Sequence, residues 1–183
     1  MRGLLVGEYG YPIGYDIYEG NSYEGNTLIP ILKKFEQKFN LQKPIVIADS
    51  GLLSKQNIEE LKINNYEFIL GARIKNENHI TKKEILSLNL NDENNLASIK
   101  KDDLTLILSY TQKRAKKDKY NREKGLKRLE KTIKSGKLTK DKINSRGYNK
   151  YLDLKNEIEV VINYEKFKQD GLWDGIKGYV TNT

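Results

Sequence analysis

Residues 45–48, Ile-Val-Ile-Ala, form an unbroken apolar run between Pro44 and Asp49. Its shortness and β-branched content fit a strand better than a helix. With no polar position on either face, the run predicts a strand buried on both sides, in a sheet with helical cover. It finishes on a carboxylate, Asp49, followed by the flexible pair Ser50-Gly51. That ending has two readings. Asp49 opens a turn, a common place for aspartate. Alternatively it presents an acid at the carboxyl end of a strand, where open α/β sheets form ligand sites and Mg²⁺ finds oxygen ligands.

The flanking sequence sets the architecture. Residues 2–20 read as two strands joined at Glu8-Tyr9-Gly10, with Ile13, Tyr15 and Ile17 alternating against Gly14 and Asp16. Residues 19–26 are rich in Gly and Asn and predict a loop. Asn26 or Thr27 can cap a following helix, whose Leu28, Ile31, Leu32, Phe35 and Phe39 make one apolar stripe. After the strand at Asp49, Ser54 is placed to cap a helix over about 55–63, with Leu53 and Ile58 as a hydrophobic staple. "YEFILGARI" gives the next strand. The order to residue 74 is β-β-α-β-α-β, which predicts a mixed, partly parallel α/β sheet with helices on its faces. Residues 75–103 are polar and Asn-rich, without clear periodicity. "LTLILSY" is a strand, 111–135 a long helix, and "IEVVINYE" and "IKGYVTNT" two final strands.

Charge is concentrated rather than spread. Between residues 113 and 134 stand eleven basic residues, Lys113, Arg114, Lys116, Lys117, Lys119, Arg122, Lys124, Lys127, Arg128, Lys131 and Lys134. Three acids accompany them, Asp118, Glu123 and Glu130, so this segment carries the whole +8 of the chain. Such an imbalance exceeds what i,i+4 pairing can neutralise. It points to a phosphate-tracking helix that grips nucleic acid without reading sequence. The plainer alternative is a solvated helix whose lysine stems cover apolar surface. Leu126, Leu129 and Ile133 lie near one face, shared with Arg122, and Gly125 interrupts it.

Other features exclude more than they suggest. The chain has no cysteine and one histidine, His79, which rules out disulfides, thiolate metal sites and His-rich zinc sites. No apolar run nears the roughly 20 residues that span a bilayer, and the N-terminus does not read as a signal peptide. A cytoplasmic protein with no small-molecule substrate is the expectation. His79 reads as a surface imidazole, and Asp174, beside the only tryptophan, Trp173, as a turn residue at the start of a strand.

Several stretches together resemble bacterial insertion-sequence transposases of the DDE class, in the branch with a large insertion in its catalytic domain. They are "GYPIGYDIYEGNSYEGNTLIPIL", "IADSGLLSKQNIEEL", "FILGARIKN", "KRAKKDKYNREKGLKRLEKTIKSGKLTK", "NSRGYNKYLDL" and "WDGIKGYVTNT". The resemblance implies an RNase H-like catalytic domain. Residues 1–74 would form the core, 75–165 the insertion with its basic helix 111–135, and 166–183 the return to a core strand. It also implies transposon-end DNA as partner, a possible dimer, a nucleoid-associated cytoplasmic location, and Mg²⁺ held by three carboxylates for strand cleavage and transfer. Asp49 matches the second of those acids. The family's first Asp lies on a strand before "GLLVGEYG" and its Glu on a helix after "YVTNT". By this resemblance the chain carries one acid of three, in an incomplete core truncated at both ends, and is inactive alone. Glu123 in "YNREKG" does not have the spacing of the family's Tyr-Arg-Glu-Lys signature. A non-catalytic nucleic-acid-binding or regulatory protein is the alternative.

Overall fold

The computed structural model describes residues 2–7, 9–17, 28–40, 42–136, 142–156 and 159–183. Glu8, the loop 19–26 and the cap candidates Asn26 and Thr27 lie outside these. The chain forms two compact units, one of Met1–Ile74, Ser98–Ile107 and Gly178–Thr183, the other of Lys75–Ala97 and Leu108–Lys177.

In the first unit, β1 (Arg2–Val6) and β2 (Pro12–Ile17) pair antiparallel, with Leu4 opposite Tyr15. The Gly7 amide donates to the Tyr11 carbonyl at 2.9 Å and closes the hairpin. The stripe on α1 (Leu28–Phe39) is buried as its spacing requires: Ile31 and Phe35 pack with Leu5 of the hairpin, and Phe39 packs against them. β3 (Val46–Ala48) runs parallel to β4 (Phe68–Ala72), Val46 opposite Phe68, and α2 (Lys55–Ile63) makes the crossover. Ser54 caps α2, its Oγ accepting from the Asn57 amide at 3.1 Å. β4 pairs antiparallel with β9 (Ile176–Thr181), and Asn182 prolongs that edge by accepting from the Phe68 amide at 3.0 Å. The full order is β3-β4-β9-β6-β5, with β5 over Leu96–Lys101 and β6 over Leu104–Tyr110. The sheet is therefore mixed, as the β-β-α-β-α-β pattern predicts.

One expectation for this sheet fails. β3 is covered on one face only: Val46 is 5% exposed, but Ile45 is 57% and Ile47 75% exposed. Among the described residues β3 is an edge strand bonded to β4 alone, and the face carrying Ile45 and Ile47 lines an open cavity of about 330 Å³ with Leu4, Ile31 and Leu32. An apolar run reports which surroundings its side chains suit, not whether a covering layer is present.

The polar stretch 75–103, which is divided between the two units, contains more order than its periodicity indicated. Asn78 caps α3 (His79–Ser87), its Oδ1 accepting from the Thr81 amide at 2.9 Å. Only Thr81 and Ile85 of α3 are buried, one residue per turn, too few to leave a stripe in the sequence. β5 hides similarly, since Ile99 is its sole buried residue. α4 spans Gln112–Lys134. "IEVVINYE" divides: β8 (Glu159–Ile162) pairs with an unforeseen β7 (Leu152–Lys155), and Asn163 caps α5 (Tyr164–Gly171), also unforeseen. Leu129 of α4 packs with Tyr151 and Leu152, joined by Ile133, Val160, Ile162 and Phe167. Gly125 allows this approach. A Cβ there would lie 2.1 Å from the Tyr148 ring, so the helix accepts a glycine that costs it about 1 kcal/mol in propensity.

Candidate functional site

Asp49 directly follows the last residue of β3, at the carboxyl end of the parallel β3–β4 pair. Its Oδ1 accepts from the Gly51 amide at 2.7 Å, and the Leu52 amide reaches its carbonyl at 3.3 Å. The turn is held to β4 from two sides. Arg73 Nη2 donates to the Ser50 carbonyl at 2.7 Å, and Gly71 leaves room for the chain, since a Cβ there would stand 2.9 Å from the Ser50 nitrogen. Asp49 is exposed and, among the described residues, is the only charged one lining the apolar cavity beside β3. Both readings of the strand end thus have a structural counterpart: Asp49 does open a turn, and it does stand at a sheet mouth with one oxygen committed to that turn.

A divalent metal needs more. Among the described residues no group of three His, Cys, Asp or Glu side chains converges anywhere. One carboxylate does not fit Mg²⁺, which dehydrates reluctantly and is held through several anchors. The described residues therefore do not by themselves make a metal site.

The basic helix is the second element, and it belongs to the other unit. Its residues divide by face. Gly125 and Leu129 are buried, and Ala115, Asp118, Arg122, Leu126 and Ile133 are half-buried beside them. Lys113, Lys117, Tyr120, Lys124, Lys127, Lys131 and Lys134 are all exposed and recur in alternating steps of four and three, which puts them on one face. Lys116, Lys119 and Arg128 are exposed as well. Across the 23 residues, about 34 Å of helix, this is close to one lysine per turn. Lys124 stands over the Tyr120 ring, 5.7 Å from its centre, and Lys119 lies 4.0 Å from Glu123. That pairing leaves Glu123 on the solvent side of the helix.

The two arginines serve differently. Arg114 lies 3.3 Å from Asp118, near enough for an ion pair but not aligned for a hydrogen bond. Arg122 is only 12% exposed. Its guanidinium meets Asp174 at 2.5 Å and sits 4.7 Å above the Phe167 ring. The hydrogen bond to Asp174 raises the Arg122 pKa against the opposing effect of burial. Asp174 accordingly lies in the turn before β9 as an anchor for α4; the expected strand start comes two residues later, at Ile176.

Sequence reasoning missed Asp170. Its carboxylate accepts from Lys75 at 2.6 Å, Lys150 at 2.9 Å and Tyr151 at 2.5 Å. Burial alone would raise its pKa, but these three donors outweigh it and hold the group at about 2. Burial, then the bond to Asp170, pushes the Tyr151 phenol above its ordinary range. The four residues are scattered over the sequence, and only Tyr151 is apolar enough to leave a core signal. Asn163 and Lys166 similarly gather on Asp153, at 2.8 and 3.0 Å.

A mixed α/β sheet with an acid at a strand end, alongside a lysine-faced helix, is what the resemblance implies. The comparison with protein families decides the matter: the Transposase DDE domain matches residues 4–170. The chain belongs to that family. No curated protein and no solved structure matches it. The RNase H-like fold class of DDE transposases accords with the sheet described above, and the family assignment brings with it transposition, a nuclease and strand-transfer enzyme class, DNA as substrate and a general reliance on divalent metal ions. Among the described residues no helix is long and apolar enough to cross a membrane.

Proposed function

We propose that this transposase-family chain acts in DNA transposition by holding transposon DNA along α4, and does not cut DNA on its own. The lysine face of α4 carries the reading. It presents close to one ammonium per turn, with few acids to neutralise it, to a ligand that bears one charge per 1.7 Å of duplex. Lysine supplies a point charge without fixed fork geometry, which suits backbone contact over base readout. The inward turn of Arg114 and Arg122 supports a narrower contact set than the eleven basic residues: Lys113, Lys116, Lys117, Lys119, Lys124, Lys127, Arg128, Lys131 and Lys134. Asp49 is the residue we assign to the family's metal chemistry, with Mg²⁺ as the ion, in a site that needs carboxylates beyond those described.

Two measurements test this. Changing Lys116, Lys117, Lys127 and Arg128 to Gln is expected to weaken duplex binding and to flatten the slope of log affinity against log salt by about 3–4. An unchanged slope would remove α4 from the interface. Incubating the chain with labelled transposon-end DNA and Mg²⁺ is expected to leave the strands intact. Nicking that vanishes in Asp49→Ala would show that a complete site forms after all.

A further inference from the structure

The second unit has a cleft of about 680 Å³ between α3 and α5. Lys82 and Lys83 of α3, Lys166 of α5, and Lys75 and Lys150 line it, against two acids, Glu165 and Asp170. One of those acids is already spent, because Asp170 is bound to both Lys75 and Lys150. Lys166 shares Asp153 at 3.0 Å. Lys82 and Lys83 have no acidic partner among the described residues. The cleft therefore keeps a positive excess. Part of its wall is apolar: Leu86 and the half-buried Trp173 line it too. Low-dielectric walls concentrate the field of such charges within a cleft.

We infer that this cleft is a second nucleic-acid contact, taking the phosphodiester backbone of DNA on Lys82, Lys83 and Lys166. Its lining favours a repeating polyanion over a single shaped anion. Among the described residues its charged donors are all lysines, carried on two helices and the segments beside them, and no arginine lines the cleft to grip one phosphate bidentately. The inference rests on the reading of α4 as a DNA-holding helix, but it concerns different residues and can fail separately.

Trp173 is the chain's only tryptophan and lines this cleft, so a single emitter senses it, and the Lys82/Lys83 variant ties a change in emission to the cleft. In the free protein at low salt, iodide is expected to quench Trp173 more effectively than caesium, and Lys82→Gln/Lys83→Gln is expected to reduce that ratio. Titration with a short DNA duplex of arbitrary sequence is expected to change Trp173 emission. The same double variant should lower the affinity and flatten its salt slope by about 2. The α4 quadruple variant should bind more weakly, yet at saturating DNA still show the emission change. Labelled DNA followed by anisotropy separates the failures. No binding at all overturns the DNA reading itself. Binding with unchanged Trp173 emission and a double variant that behaves as wild type overturns the cleft and leaves α4 standing.

Discussion

Asp49 is an exposed carboxylate and Asp170 a half-buried one, and their surroundings differ in nearly every respect. Asp49 accepts one backbone amide and otherwise faces aliphatic side chains. Asp170 is surrounded by two ammoniums and a phenol. The contrast extends to the units that hold them. Around Asp49, order comes from buried apolar residues such as Leu61, Phe68 and Leu70, each with no exposed surface. Around Asp170 and Asp174, ion pairs fasten α4, α5 and their neighbours beside a smaller apolar cluster. The lesson concerns how perturbed groups are interpreted. A strongly shifted acid is a candidate for chemistry, but the carboxylate held at about 2 here has its lone pairs taken up by its own fold. The acid with coordination capacity left is the one that carries only a turn.

The comparison breaks most visibly at its apolar side. Leu70→Ala removes a fully buried side chain from β4 and is expected to cost about 2–5 kcal/mol in urea unfolding. A loss below about 1 kcal/mol would mean that this core is not what holds Asp49's strand pair. The ionic side should respond less and with a pH signature. Asp170→Asn is expected to cost about 2 kcal/mol at neutral pH. The sign follows from the folded pKa of about 2 lying below the ordinary carboxylate value. The stabilisation is complete above about pH 4 and is lost as pH falls through about 2, so wild type and variant should converge there. A difference that persists unchanged at pH 2 would assign the loss to packing. Gly125→Ala comes next. Helix propensity gains about 1 kcal/mol, yet the clash with the Tyr148 ring should leave a net loss of about 1 kcal/mol or more. Adding Tyr148→Ala should turn the effect of the Gly125 change favourable.

How far the sequence revealed these regions follows the same division. The first unit was largely legible because its elements are written in hydrophobic period: the stripe on α1, the run at β3 and the Ser54 cap on α2 all appear where the pattern puts them. Its failure at β3, the exposed Ile45 and Ile47, arises because pattern records affinity for cover and not cover itself. In the second unit α4 was legible from length and charge. β5, which the two units share, was not, because it buries only Ile99; α3, β7 and α5 were not, because each buries few residues or none and is secured by caps and side-chain polar bonds. Those bonds join residues as distant as Lys75 and Asp170, and no local window contains both. Asp49 could be picked out as the end of a strand. That its turn is pinned through Gly71 and Arg73 could not, since β4 meets that turn only in three dimensions.

The smallest expected effect sharpens the contrast most. Asp49→Asn keeps an oxygen that can accept from the Gly51 amide while removing the charge. If Asp49 is tied to the fold only through that bond, stability should change by less than about 0.5 kcal/mol. Asp49→Ala, which deletes the acceptor, should cost more, up to about 1 kcal/mol, because a turn amide then loses its partner. Urea unfolding of both variants at neutral pH separates the cases. Near-equality of Asn with wild type leaves the negative charge free of any structural duty, which is what a carboxylate kept for a ligand requires. A loss for Asn as large as that for Ala would make the charge itself a structural anchor, and Asp49 would then join Asp170 on the architectural side of the comparison.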